Sequence, residues 1–363
     1  MVIKSINLQN FRSYQEKEFK FSSQMTLVVG PNASGKTNLL EAIHLLATGR
    51  SLRAQIEVEM IYYGQELARV AGEIKSQNDE KNELEIVLTS GEVAGEKVAK
   101  KRYLFNGVAK RMVDFVGNLR SVYFGPEDLE IVVDSPSTRR DYLDSVLEAI
   151  DREYHRANLS YQKGLRQRNK LLEQIRDEGR PRSILFFWNK LLLENGEKIS
   201  QKREEFIEFI NQQPQHFGEL QIRYDKSLIS PQRLTEYAEA EISAGMTLIG
   251  PHRDDFQMEI KKEKKMRNLH QFGSRGEQRT AVFSLKLAEL EFVAEKTDDP
   301  SPPVGGSEQD RPVLLLDDIF SELDQEHRKR LLEVIPKQQT IITTTDIRLV
   351  EPAYREKVAM VKL

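Results

Sequence analysis

Residues Gly30, Pro31, Asn32, Ala33, Ser34, Gly35, Lys36 and Thr37 fit the pattern G-x-x-x-x-G-K-[ST] at every fixed position. Few architectures can host this loop, because it needs a buried strand before it and a helix after it. The glycines let the backbone wrap a phosphate with its amide N–H groups turned inward. The lysine reaches β- and γ-phosphates, and the threonine hydroxyl serves a magnesium ion. Both flanks agree. Met25 to Val29 is a short apolar, β-branched run, and Leu39, Leu40, Ile43 and Leu46 recur at helical spacing. The helix N-terminus then faces the phosphates with its positive dipole end. Asn38, the next residue, belongs to the same binding segment.

Composition narrows the class. The chain has 363 residues, room for two domains or for one large domain with an insertion. No apolar run of about 18 residues suggests a membrane span, and the first residues alternate like a strand and lack a signal-peptide pattern. There is no cysteine, which excludes disulfides, cysteine metal sites and a catalytic thiol. A cytoplasmic protein without a membrane partner is the expectation. Net charge is −3, so any nucleic-acid binding must come from local basic patches.

The texture changes twice along the chain. Two strands, the loop and a helix open it, and strand-like runs follow at Leu67 to Leu88 and Arg102 to Val108. Asn106-Gly107 is a two-residue hairpin turn. Long helical patterns then dominate, over Asp141 to Ile175 and Ile184 to Ile210. Strands resume near Leu220 to Tyr224 and Phe256 to Ile260, and a helix follows from about Gly276 to Phe292. Thr297 to Pro312 is rich in Pro, Gly, Ser and Asp and reads as a mobile loop. The expected organisation is an α/β head in two pieces, 1–120 and 246–363, with a helical lid inserted at 121–245.

Val313 to Asp317 is an apolar strand delivering a carboxylate at its C-terminal end. Asp317 is placed to hold a metal, and Asp318 to orient or deprotonate a water. Ser321 to Asp324 follows and also reads as a helix cap. Ser274 and Glu277 form a capping box, while Ser274, Gly276 and the free helix N-terminus also make an anion site. Lys36 and Asp317 are 281 residues apart, and the Ser274 element comes 43 residues before Asp317. That order is typical of the ATP-binding-cassette (ABC) ATPases. There the serine-glycine element reaches the γ-phosphate of a partner subunit, so that ATP is sandwiched between two heads.

Further segments sharpen the likeness: Leu8 to Tyr14, Phe124 to Leu129, Ser135 to Arg140, Gly250 to Asp255, Gly276 to Thr280, Leu316 to Asp324 and Thr343 to Asp346. With these, essentially the whole chain resembles the RecF family, an SMC-like branch of the ABC ATPases. The resemblance implies a mixed-sheet P-loop ATPase head with an antiparallel β region and an inserted α-helical lid. It implies ATP and Mg2+ as cofactors and an ATP-dependent homodimer in which Ser274 acts in trans. It adds Gln278 and Asp324 to the catalytic set and Arg12 to the nucleotide contacts. It implies DNA as partner, double-stranded at gaps or junctions, with RecR, RecO and RecA in a repair pathway, and slow DNA-stimulated hydrolysis. The chain departs from cassette patterns in three ways. Asp318 stands where many have glutamate, Thr345 stands where a switch histidine is expected, and the lid glutamine is not identifiable.

Several basic clusters are candidates for DNA phosphates. They are Lys97, Lys100, Lys101 and Arg102; Lys163, Arg166, Arg168 and Lys170; and Lys261, Lys262, Lys264, Lys265 and Arg267. Taken singly, each reads first as a solvated charged face. Arg139 and Arg140 could serve DNA, nucleotide or an ion pair within the lid. His252 and Arg253 leave the same choice open.

Overall fold

A computed structural model describes residues 1–75, 80–214, 219–262, 265–296, 311–349 and 358–363. Lys264 and residues 297–310 of the expected loop lie outside that set. Two compact units are formed: Met1–Asp128 with Glu289–Leu363, and Leu129–Ala288.

The first unit opens with strands β1 (Val2–Phe11), β2 (Tyr14–Lys20) and β3 (Met25–Val29), then helix α1 (Lys36–Thr48). Strands β4 (Leu67–Lys75), β5 (Lys81–Thr89), β6 (Glu92–Val93), β7 (Glu96–Lys97), β8 (Lys101–Phe105) and β9 (Val108–Lys110) follow. After α2 (Met112–Phe115) comes β10 (Ser121–Phe124). The second unit holds α3 (Glu130–Val133), α4 (Pro136–Ile150), α5 (Arg152–Glu178), α6 (Phe186–Gln212), β11 (Leu220–Asp225), α7 (Pro231–Glu236) and α8 (Ala238–Ala244). It continues with β12 (Asp255–Lys262), β13 (Lys265–Asn268) and α9 (Leu269–Phe272). The chain then runs through α10 (Arg275–Glu295), whose last turns belong to the first unit, to β14 (Val313–Asp317), α11 (Ile319–Glu322), α12 (Gln325–Val334), β15 (Thr340–Thr344) and β16 (Ala359–Lys362).

The first unit has two sheets. One is antiparallel, in the order β2-β1-β4-β5-β8-β9. Its strands alternate, as a sheet with one face on the core must. In β1, Ile6 and Leu8 are buried and Asn7 and Gln9 exposed. Asn106 and Gly107 both take positive φ, 49° and 75°, and close the β8–β9 hairpin as the sequence predicts. The other sheet is parallel, in the order β10-β14-β15-β3-β16. Its inner strands β14 and β15 are buried along their whole length, the pattern of strands covered on both faces. One core joins the two sheets through α1, whose Leu39, Leu40, Ile43 and Leu46 are fully buried.

The single long helix expected over 141–175 is two helices. The chain breaks at Asp151, whose carboxylate accepts the Tyr154 N–H at 2.9 Å and caps α5. Gly179, with φ 69°, ends α5. Residues 246–288 fall in the second unit, because β12 pairs with β11 on one side and β13 on the other. The expected lid ends at 245, ahead of the strand near Phe256.

Arg203 and Arg168 are the most deeply buried arginines of this unit among the described residues, and every nitrogen of each side chain has a partner. Arg203 bonds Asp144 at 2.7 Å, Asp254 at 3.1 Å and the Pro251 carbonyl at 2.8 Å. Arg168 bonds Glu241 at 2.6 Å, Thr247 at 2.7 Å and Asn189 at 2.7 Å. Arg168 is therefore part of the interior and not of a basic surface. Removing one partner from such a group would leave an uncompensated buried charge.

His252 is also structural. Its Nε2 donates to the Thr247 carbonyl at 3.0 Å, and its Nδ1 lies 2.8 Å from the Tyr161 hydroxyl. Burial is the first cause that pushes this imidazole from 6.5 down to about 4. The folded value lies below the unfolded one, so the unfolded chain takes up a proton first as pH falls. The stability from neutral His252 is complete above about pH 6.5 and is lost on the way down to about pH 4, at most about 3 kcal/mol. Urea unfolding of wild type and His252→Gln should give stabilities that converge between pH 7 and 4.5. A constant gap would contradict this account.

Candidate nucleotide site

All strands of the second sheet run parallel, so the C-terminal ends of β3, β15, β14 and β10 share one edge. Parallel α/β sheets bind ligands at that edge. Here it carries the Gly30–Thr37 loop, Thr345, Asp317 with Asp318, and the Gly125–Asp128 turn.

The loop is held by backbone geometry. The Gly30 N–H bonds the Thr344 carbonyl at 3.3 Å and ties the loop to β15. Ala33 and Gly35 take positive φ, 63° and 99°, and alternation of this kind turns successive N–H groups toward one point. At Gly35 a Cβ would stand 2.7 Å from the Tyr14 hydroxyl, which itself donates to the Gly35 carbonyl at 3.1 Å. Only glycine fits there, on both counts. Lys36 folds back onto its own loop, with Nζ donating to the carbonyls of Gly30 at 2.9 Å and Pro31 at 2.8 Å. Pro31, Asn32 and Ala33 are exposed, and Thr37 is half-buried at the start of α1. Ser34 Oγ is buried without a hydrogen-bond partner. Asn38 bridges Ser13 Oγ at 2.9 Å and Arg53 at 3.0 Å.

The two aspartates are fixed by one threonine. Thr343 Oγ1 donates to Asp317 Oδ1 at 2.6 Å and accepts from the Asp318 N–H at 3.0 Å. Asp317 is buried, and its Oδ2 lies 3.2 Å from the Tyr123 hydroxyl, which also reaches Glu127 Oε1 at 2.8 Å. A carboxylate has about four lone-pair sites, so Asp317 keeps capacity for a metal or its water. Asp318 sits in the left-handed region with φ 48°, and its Oδ1 is buried without a hydrogen-bond partner. A buried carboxylate oxygen without a partner calls for an explanation, and a nucleotide or its water at this edge would supply one.

Glu127 and Thr343 were legible only as members of matching segments, and Tyr123, one residue before the first of them, was not singled out. A hydroxyl inside the apolar strand Ile341-Ile342-Thr343 is the local signal for Thr343. Gly125 is there because a Cβ would come within 2.2 Å of Tyr123 Oη. Burial first, then the charges of Asp317 and Glu127, pushes the Tyr123 phenol far up, so it stays a donor. Burial also raises Glu127 above the usual carboxylate range.

The donor set fits magnesium as a nucleotide site uses it. Among the described residues no group of three or more His, Asp or Glu side chains forms a metal cage. Mg2+ is ordinarily held by one or two protein oxygens, with phosphate oxygens and water completing the shell. Thr37 and Asp317 would supply those two.

Other candidate residues are held by partners of their own. Arg12 takes φ 52° and grips the fully buried Glu41 of α1 in a fork, at 2.8 and 2.6 Å, with its remaining nitrogen on the Glu59 carbonyl. Ser274 is exposed at the start of α10. The capping box is formed: its N–H and hydroxyl donate to Glu277 Oε2 at 2.8 and 2.9 Å. Those bonds and Lys262 bring Glu277 down to about 2. Gly276 is exposed with open space beside it. Gln278 is buried and donates to the Leu269 carbonyl at 3.0 Å. Asp324 caps α12 by accepting the His327 N–H at 3.0 Å, and that bond is the first cause of its lowered pKa.

The candidate DNA residues divide. Lys100 and Arg102 are exposed, and Lys101 pairs with Glu57 at 3.3 Å. Arg139 is buried, with its fork on Asp255 at 2.6 and 3.1 Å and NH1 on the Asp134 carbonyl at 2.7 Å. Of the three roles open to it, the ion pair within the lid is the one formed. Arg140 donates to the Asp254 carbonyl at 2.9 Å. No helix among the described residues is long and apolar enough to cross a membrane.

Comparison with known proteins points the same way. The family model described as RecF/RecN/SMC N terminal domain matches residues 2–362. A DNA replication and repair protein RecF of Herpetosiphon aurantiacus is 36% identical over 389 residues, covering 99% of this chain and 97% of its own. Its namesake from Thermomicrobium roseum is 36% identical over 394 residues, with 97% and 95% covered. Two solved structures of the recombination mediator protein RecF in the RecFOR pathway, described as RecF-ATPrS and RecF-ATP, superpose with TM-scores of 0.82 and 0.83 at 32% identity and cover 96% of this chain. They are covered to 94% and 93% in turn.

Proposed function

The chain belongs to the RecF family of DNA replication and repair proteins and has an ABC-type ATPase head with an inserted helical lid; from that premise we propose that it is an ATP-gated DNA clamp. One observation carries the reading furthest. The phosphate loop and the Asp317-Asp318 pair share one sheet edge, and each holds a buried polar atom without a partner, Ser34 Oγ and Asp318 Oδ1.

In this reading Lys36 leaves the Gly30 and Pro31 carbonyls and takes the β- and γ-phosphates of ATP. Thr37 and Asp317 hold the magnesium, which neutralises phosphate charge. Asp318 orients water for attack and receives its proton. Ser274 and Gly276 of a second copy close over the γ-phosphate. The closed dimer grips double-stranded DNA at gaps or junctions and, with RecR and RecO, supports RecA loading. Hydrolysis is slow, DNA-stimulated, and resets the dimer.

The test is mass in solution by light scattering, with and without ATP and Mg2+. Wild type should shift from monomer to dimer. Ser274→Ala should bind ATP as a monomer within a few-fold of wild type and fail to shift. Because this change also removes a cap worth about 1 kcal/mol, Glu277→Ala is the control. It loosens the cap, keeps the hydroxyl and should still dimerise. A Ser274→Ala protein that dimerises and hydrolyses ATP like wild type would remove the sandwich.

A further inference from the structure

We propose that the outward face of α5 is a docking stripe for the sugar-phosphate backbone of duplex DNA. The inference rests on the DNA-clamp reading above and names a surface for it.

Helix α5 has one face turned inward: Tyr154, Ala157, Tyr161, Gly164, Arg168, Leu172 and Ile175 are buried. The opposite face carries Arg156, Lys163, Arg166 and Lys170, all exposed, with half-buried Arg152 in line behind them. Spacings of seven, three and four residues keep the four heads on one side of a helix. No carboxylate interrupts that side until Glu173. The one acid in between, Glu153, pairs with Lys198 of α6 at 2.6 Å.

Most other cations of this unit have acid partners: Arg139 with Asp255, Arg168 with Glu241, Arg203 with Asp144, Lys202 with Asp151, Lys226 with Glu204 and Lys261 with Glu219. Among the described residues no ion pair or hydrogen bond engages the heads of Arg156, Lys163, Arg166 or Lys170. Four unneutralised charges in line are conspicuous in a chain of net charge −3.

Geometry selects the occupant. From residue 156 to 170 the helix advances about 21 Å. A duplex carries one charge per roughly 1.7 Å of its axis, so that length offers phosphates to all four heads. A membrane surface would need an apolar face as well, and Leu159 is the one exposed apolar side chain along the stripe. The stripe carries only Lys and Arg as charged heads, the side chains that pair with phosphate oxygens. In this proposal the contacts are with phosphates, and binding is independent of sequence.

The experiment is fluorescence anisotropy of a labelled 30-base-pair duplex with ATP and Mg2+, on wild type and on Lys163→Gln/Arg166→Gln/Lys170→Gln, across salt concentrations. The triple variant should bind several hundredfold more weakly at 0.1 M salt, and the slope of log affinity against log salt should flatten by about 2.7, from about 0.9 per phosphate contact. It should still form the ATP-driven dimer seen by light scattering. Unchanged affinity and slope would give the face to an acidic protein segment and overturn the proposal. Loss of the dimer would overturn it too, by making the face an assembly surface. A wild type that binds no duplex in any nucleotide state would bring down the clamp reading itself, whereas a triple variant that binds like a DNA-binding wild type removes only the stripe.

Discussion

Lys36→Ala is expected to weaken ATP binding by a hundred- to a thousandfold, measured by isothermal titration with Mg2+ present. The figure comes from two charge-assisted hydrogen bonds to phosphate, about 1.5–2 kcal/mol each, at about 1.4 kcal/mol per tenfold. The free protein tempers it, since Nζ is already engaged by the Gly30 and Pro31 carbonyls at 2.9 and 2.8 Å and must exchange them for phosphate oxygens. The ammonium keeps its charge in either arrangement, so what the nucleotide adds is the pairing of that charge with an anion. Alanine removes the charge and leaves the loop's glycine geometry in place, so the fold should survive and both ATP-driven mass change and duplex binding should fall together. Lys36→Arg should not rescue, because a planar fork cannot replace a compact ammonium between two phosphates. An alanine variant that binds ATP as tightly as wild type would take the loop out of the nucleotide site.

The loop and the acidic strand were legible because their chemistry is local. Fixed residues at fixed spacing, flanked by a β-branched run and a helical repeat, leave little else for Gly30 to Thr37 to be. The Asn106-Gly107 hairpin was legible for the same reason, since two residues must take positive φ there. What holds Asp317 was not, because Thr343 and Tyr123 reach it only through the strand order β10-β14-β15-β3, which no local pattern encodes. Strand β16 beside β3 escaped for that reason too.

Arginines were the hardest residues to read. Arg139, Arg166 and Arg168 look alike in sequence, yet Arg139 and Arg168 are sunk against carboxylates 116 and 73 positions away, and Arg166 stands in solvent. Helical phase would have separated part of the set. Arg168 shares a face with Tyr161, Gly164 and Leu172, while Lys163, Arg166 and Lys170 share the other. The break at Asp151 was readable as well, since an aspartate three residues before Tyr154 is a cap in waiting. The long apolar repeat on either side masked it.

Asp318→Asn should lower ATP hydrolysis by about a hundredfold to ten-thousandfold, the usual range for losing a positioned general base, while ATP affinity stays within a few-fold. The substitution isolates the proton-accepting function. Asparagine tolerates the left-handed φ of 48° as aspartate does, and the N–H to Thr343 Oγ1 is a backbone group that the change does not touch. Asp318→Ala would add backbone strain to the chemical loss and is the poorer probe. With hydrolysis slowed, ATP and Mg2+ should accumulate the dimer, and duplex DNA should dissociate from it more slowly than from wild type. Asp317→Asn should differ in kind, because it weakens the magnesium contact and makes nucleotide binding itself depend on higher Mg2+. If Asp318→Asn hydrolyses ATP at the wild-type rate, the base lies elsewhere at the same edge. Glu127 is then the carboxylate to examine, held to Asp317 through the Tyr123 hydroxyl and raised in pKa by its burial.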